Sequence, residues 1–152
     1  MPHLPLYWIV LADGHHARLL QGTRPFDELQ GVEGGSIDAE DAHHFSREIG
    51  TDRPGRAFSS SDDRRAAMEP HEDPERAEER QFAMLLAKHL DEAARAGRYD
   101  RLIIAAPPAA LGDIRNMLGA STRARLQATL DKDLVKTPSP ELPEHLLAAI
   151  GF

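Results

Sequence analysis

Apolar residues run without interruption from Tyr7 to Ala12. A short apolar run rich in β-formers predicts a strand buried on both faces. Asp13-Gly14 is a turn dipeptide between two such runs. Ala17 to Gln21 continues as a second strand, so residues 7–21 predict a β-hairpin. Phe26 to Val32 alternates, with Phe26, Glu28, Gln30 and Val32 set against Leu29. That pattern predicts a third, more exposed strand, after a turn marked by Gly22 and Pro25.

The pattern then changes. Residues 33–71 are dominated by Gly, Ser, Asp, Glu, Arg and His, with Ile37, Phe45, Ile49, Phe58 and Met68 as the large apolar residues. This predicts a long flexible insertion, and a structureless stretch of this length inside a compact domain is usually functional or disordered. Asp73 and Pro74 announce a helix as N-cap and first helical residue, with Glu75, Glu78 and Glu79 in the early turns, where the helix dipole favours acids. Phe82, Leu85, Leu86, Leu90 and Ala93 keep helical spacing, and Gly97 supplies the stop. Leu102 to Ala106 predicts a short buried strand. Pro107-Pro108 open another helix, with Leu111, Ile114 and Leu118 on one face. Leu126 to Val135 alternates like a strand, and residues 142–150 predict a last short helix. A meander followed by two βα units predicts an α/β fold: a mixed five-stranded sheet in order 3-2-1-4-5 with helices packed on it, the ribonuclease-H-like layout. One domain over residues 1–152 is the simplest organisation.

Composition narrows the function classes. The 152 residues carry a net charge of −7, and 41% are hydrophobic. These values fit one ordinary globular domain and exclude a collagen-like or wholly disordered chain. No window approaches the roughly 18 apolar residues of a membrane span. The absence of cysteine excludes disulfides, a catalytic thiol and Cys-based zinc sites. Met1 to Ala12 lacks the charge and length of an export signal, so the expected location is the cytoplasm.

Candidate chemistry is sparse. Asp13, at the end of the first strand, stands where a ribonuclease-H-like nuclease places a metal-binding acid, but the fourth strand ends in Ala105-Ala106-Pro107 with no acid. Turn chemistry alone accounts for Asp13-Gly14. The adjacent pairs His15-His16 and His43-His44 point to opposite faces if extended, so neither forms a two-histidine metal site by itself. A site combining Asp41, His43, His44 and a distant partner stays open. Residues 43–65 hold five basic residues, Arg47, Arg53, Arg56, Arg64 and Arg65, against Glu48, Asp52, Asp62 and Asp63. All five are arginine, which suits forked contacts to phosphate, and Phe45 and Phe58 are suited to stacking on bases. Phosphate-loop, dinucleotide and nucleophile-elbow motifs are absent, and Ser59-Ser60-Ser61 has no positioned base. No catalytic residue, metal or cofactor is assigned.

The residues carry a resemblance over nearly the whole chain. Trp8-Ile9-Val10-Leu11-Ala12-Asp13-Gly14 with Ala17-Arg18, Arg53-Pro54-Gly55-Arg56, and Phe82-Ala83 with Leu90 resemble the bacterial host attachment proteins. So do Ala106-Pro107-Pro108, Leu111-Gly112, Asp131-Lys132-Asp133-Leu134 and Leu142-Pro143. That family is similar in fold to the middle domain of archaeal and eukaryotic class-I release factors. In those factors a Gly-Gly-Gln loop follows the corresponding strand, and Gly34-Gly35-Ser36 takes a comparable place here, with Ser36 where the glutamine would stand. The resemblance implies an RNA or ribosome partner, and the lack of a recognisable export signal implies that any effect on attachment is indirect. The expectation is therefore a non-enzymatic, RNA- or ribosome-associated protein. The alternative is a metal-dependent nuclease or other hydrolase using Asp13.

Overall fold

A computed structural model describes residues 4–42, 44 and 73–150. Five strands form one sheet: β1 (Tyr7–Ala12), β2 (His16–Gly22), β3 (Gln30–Asp38), β4 (Arg101–Ala106) and β5 (Leu126–Asp131). Among the described residues the sheet is accompanied by the helices α1 (Pro74–Arg95), α2 (Pro108–Met117), α3 (Ala120–Arg125) and α4 (Leu142–Ala149). The strand order is β3-β2-β1-β4-β5. β1 pairs antiparallel with β2 and parallel with β4, and β5 adds in parallel beyond β4. The expected α/β fold and its strand order are thus both present.

Every residue of β1 is buried, as its unbroken apolar run requires. Successive side chains of a strand point to opposite faces. Trp8, Val10 and Ala12 therefore join Phe82, Leu86, Leu90 and Ile114 in one core under α1 and α2. Tyr7, Ile9 and Leu11 join Phe26, Leu130, Leu142 and Leu146 in a second core under α4. Burying each such large side chain contributes about 1.5–3 kcal/mol.

α1 starts and stops where its sequence signals stand. The Asp73 carboxylate accepts the Glu75 backbone N–H at 3.1 Å, and Pro74 occupies the first turn. At the other end Gly97 takes φ +71°, where L-residues are strained. Its N–H reaches the Ala94 carbonyl while Arg98 N–H reaches that of Ala93, the paired bonds of a glycine-stopped helix.

Three boundaries differ from the sequence expectations. The third strand is not residues 26–32 but Gln30–Asp38. Phe26 sits in a turn at φ +71° and buries its ring edge-on against Tyr7, with centroids 5.1 Å apart. It is an anchor for the second core, and the apparent alternation around it is not a strand. The insertion therefore does not begin at residue 33. The strand continues through Gly34-Gly35-Ser36, helped by an irregularity opposite Arg18–Leu20 and by Gly34 at φ +70°. That irregularity resets the alternation, so Val32 and Ile37, five positions apart, both face the α1 core. A helical turn follows at residues 39–42, capped reciprocally by Asp38 and Asp41 through backbone N–H to carboxylate bonds of 2.9 and 3.2 Å. The rest of the expected insertion lies outside the described residues, apart from His44. Finally, the expected strand 126–135 ends at Asp131. The segment after it turns at Asp133, whose carboxylate accepts the Val135 N–H, while the Arg18 guanidinium holds the carbonyls of Val135 and Thr137 at 2.9 and 2.8 Å.

Candidate functional site

The parallel strands β1, β4 and β5 define two ends of the sheet, and polar side chains gather at both. At the carboxyl end the β1–β2 turn is built on Asp13. Its Oδ1 accepts the backbone N–H groups of His15 and His16, each at 2.7 Å, and its own N–H donates to the His16 carbonyl at 2.9 Å. The turn reading of Asp13 is what the structure shows. This closed turn presents the half-buried His15 toward the first turns of α1, where one donor atom each from His15, Glu75 and Glu79 lie within 4.8 Å of one another. Glu79 Oε1 accepts from Arg76 at 2.7 Å, and Arg76 also forks onto both oxygens of Asp113 in α2 at 3.0 and 3.1 Å. These bonds, Asp113 first and Glu79 second, raise the guanidinium pKa above its already high ordinary value. The pair joins the two helices across the top of the first core.

At the amino end the chain collects arginines on aromatic rings. Arg24 lies 5.7 Å from the Tyr7 ring centroid and donates Nε–H to the Tyr7 hydroxyl at 3.1 Å. Arg98 lies 5.1 Å over Trp8, which stacks on Tyr99 at 4.8 Å. Arg125 lies 5.9 Å from the Tyr99 centroid and donates to its backbone carbonyl at 2.9 Å. Each of these guanidinium groups lies within cation–π range of its ring. Arg101, opposite Tyr7 in the β1–β4 register, is exposed, and its guanidinium has no partner among the described residues. A cleft of about 450 Å³ opens here, lined by Leu4, Pro5, Tyr7, Arg24, Arg101 and Gln127.

Neither end was assembled from the sequence. Residues 95–125 contain six arginines against Asp100 and Asp113, a stronger basic bias than that of residues 43–65, and this was the available signal. Of the residues singled out from sequence, Gly34, Gly35 and Ser36 lie in β3, an edge strand, and line a shallow groove with Arg18 and Gly31. Gly35 is there because a Cβ would stand 2.6 Å from the Val32 carbonyl oxygen. Asp41 caps its own helical turn, and His44 is exposed. His43, Arg47, Arg53, Arg56, Arg64 and Arg65 lie outside the described residues.

The architecture defines an α/β protein whose polar chemistry is divided between the two ends of one mixed sheet. Residues 8–146 match the family described as "Protein required for attachment to host cells", and the chain belongs to that host attachment family. Comparison with curated proteins gives no significant match. Among the described residues no helix is long and apolar enough to cross a membrane.

Proposed function

We propose that this host attachment family protein is a binding protein for structured RNA, free or within the ribosome, and that it acts in the cytoplasm and affects attachment indirectly. The observation that carries this reading is the amino end of the sheet, where Arg24, Arg98 and Arg125 each lie near an aromatic ring and the exposed Arg101 guanidinium has no partner among the described residues. Guanidinium groups at several points suit a partner with many phosphates. Arg47, Arg53, Arg56, Arg64 and Arg65 add forked donors in the same chain, with Arg53-Pro54-Gly55-Arg56 as their principal contact group. We take the resemblance of the sequence to the release-factor middle domain as further support for this class of partner.

Two features favour binding over Asp13-dependent hydrolysis. Asp13 Oδ1 already accepts two backbone N–H groups. β4, which lies between β1 and β5, ends on Ala105 and Ala106 and brings no carboxylate beside it. The test is co-purification of the full chain from cells, with and without ribonuclease, at low and high salt. Association should be lost after ribonuclease and in high salt, and weakened in Arg24→Ala/Arg101→Ala. Ribonuclease-resistant association, or cleavage of RNA abolished by Asp13→Asn in a folded protein, would overturn the reading.

A further inference from the structure

We propose that His15, Glu75 and Glu79 form a binding site for one divalent transition-metal ion, of the Mn²⁺ or Zn²⁺ type, which ties the β1–β2 turn to α1. The site is independent of the RNA reading and lies at the opposite end of the sheet.

The donor set is mixed and comes from two elements about sixty residues apart. The imidazole comes from a turn whose backbone is fixed by Asp13, and the two carboxylates come from successive turns of α1. One donor atom from each residue lies within 4.8 Å of the other two. An ion with ligand bonds of about 2.0–2.2 Å draws its donors to roughly 3–4 Å apart. Glu75, on the exposed side, has the freedom to close that difference, whereas His15 and Glu79 are half-buried and already positioned. Glu79 is oriented by Arg76, which engages Oε1. Its Oε2 rests against the turn at Gly14, where a Cβ would lie only 2.8 Å from that oxygen. Gly14 thus leaves a cradle that the Glu79 carboxylate fills. The Arg76 charge is shared with Asp113, so the guanidinium does not neutralise Glu75 and Glu79 together.

The residue types select the ion. One imidazole nitrogen with two carboxylates suits Mn²⁺ to Zn²⁺, and it leaves open positions for water. Mg²⁺ and Ca²⁺ favour all-oxygen shells, and Ca²⁺ takes six to eight ligands. Asp13 lies outside this donor cluster and holds the turn through its Oδ1.

Titration calorimetry of the full chain, stripped of metal, with MnCl₂, ZnCl₂, MgCl₂ and CaCl₂ tests the assignment. One equivalent of Mn²⁺ or Zn²⁺ should bind at least tenfold more tightly than Mg²⁺ or Ca²⁺. His15→Ala and Glu79→Gln should each weaken binding tenfold or more, and Gly14→Ala should weaken it while keeping every ligand. His145→Ala, at a distant surface histidine, should leave it unchanged. Broadening of amide resonances by substoichiometric Mn²⁺ in the unmodified chain gives a readout that needs no variant, and it should centre on residues 14–16 and 75–79. Absence of a one-equivalent site, preference for Ca²⁺, affinity unchanged by His15→Ala with Glu79→Gln, or broadening centred elsewhere would each overturn the proposal.

Discussion

Asp13 does at residue scale what its sequence context indicates, and it does so through one oxygen. Local chemistry of this kind is legible because donor and acceptor are two or three residues apart. Gly35 is the opposite case. It reads as a flexible residue in a polar run, yet the Val32 and Leu19 carbonyl oxygens would lie 2.6 and 2.9 Å from any Cβ placed there. Replacing it by valine should destabilise the protein by about 1–3 kcal/mol through overpacking, measured as a lower urea midpoint. A stability equal to that of the parent chain would show that β3 shifts freely. His89 is a second residue whose state the sequence hides. Its Nε2 is buried without a hydrogen-bond partner among the described residues, and burial, then the nearby Arg98 charge, lower its pKa from the ordinary 6.5. A histidine held neutral by folding contributes stability above the unfolded-state value, and that stability is lost as the pH falls through the depressed folded value. Urea midpoints from pH 7.5 to 5 should therefore decline, and His89→Gln should flatten that decline. An identical slope in the two proteins would refute this role.

At the scale of elements, legibility followed signal type. α1 was readable because its cap, its first-turn proline, its apolar spacing and its terminal glycine agree. Asp73→Ala should cost about 1 kcal/mol by removing the cap bond, measured by thermal or urea unfolding. An unchanged midpoint would mean that tertiary packing alone fixes the start of α1. The bounds of β3 are not legible in the sequence because an edge strand buries few side chains, and because its glycines and irregular pairing break the two-residue period. α3 escaped notice for a related reason. It is a helix of only six residues, and its buried Thr122 gains its place through a hydroxyl bond to Asp91 on α1. Asp91 also accepts the Gly119 N–H at 2.9 Å. No apolar stripe announces a helix held by a polar contact to a residue some thirty positions away. The His15–Glu75–Glu79 cluster was hidden likewise: Glu75 and Glu79 are explained in sequence by the helix dipole, and only the folded hairpin brings His15 to them.

A chain of net charge −7 brings His15, Glu75 and Glu79 together at the carboxyl end of its parallel strands, and at the amino end it sets Arg24, Arg98 and Arg125 near aromatic rings, with Asp27, Glu28 and Asp100 also there. A net charge of −7 opposes bulk electrostatic binding of nucleic acid, so the proposed phosphate-bearing partner depends on the local set of arginines. The most direct measurement of that claim is the equilibrium affinity of the full chain for a structured RNA hairpin as a function of salt concentration. Each phosphate contact contributes a slope of about −0.7 to −0.9 in log K against log salt. Binding should be measurable at low salt with a slope reflecting several contacts, and the slope should be shallower by about two contacts in Arg24→Ala/Arg101→Ala. Undetectable binding at low salt, or an affinity and slope that the double replacement leaves unchanged, would contradict it.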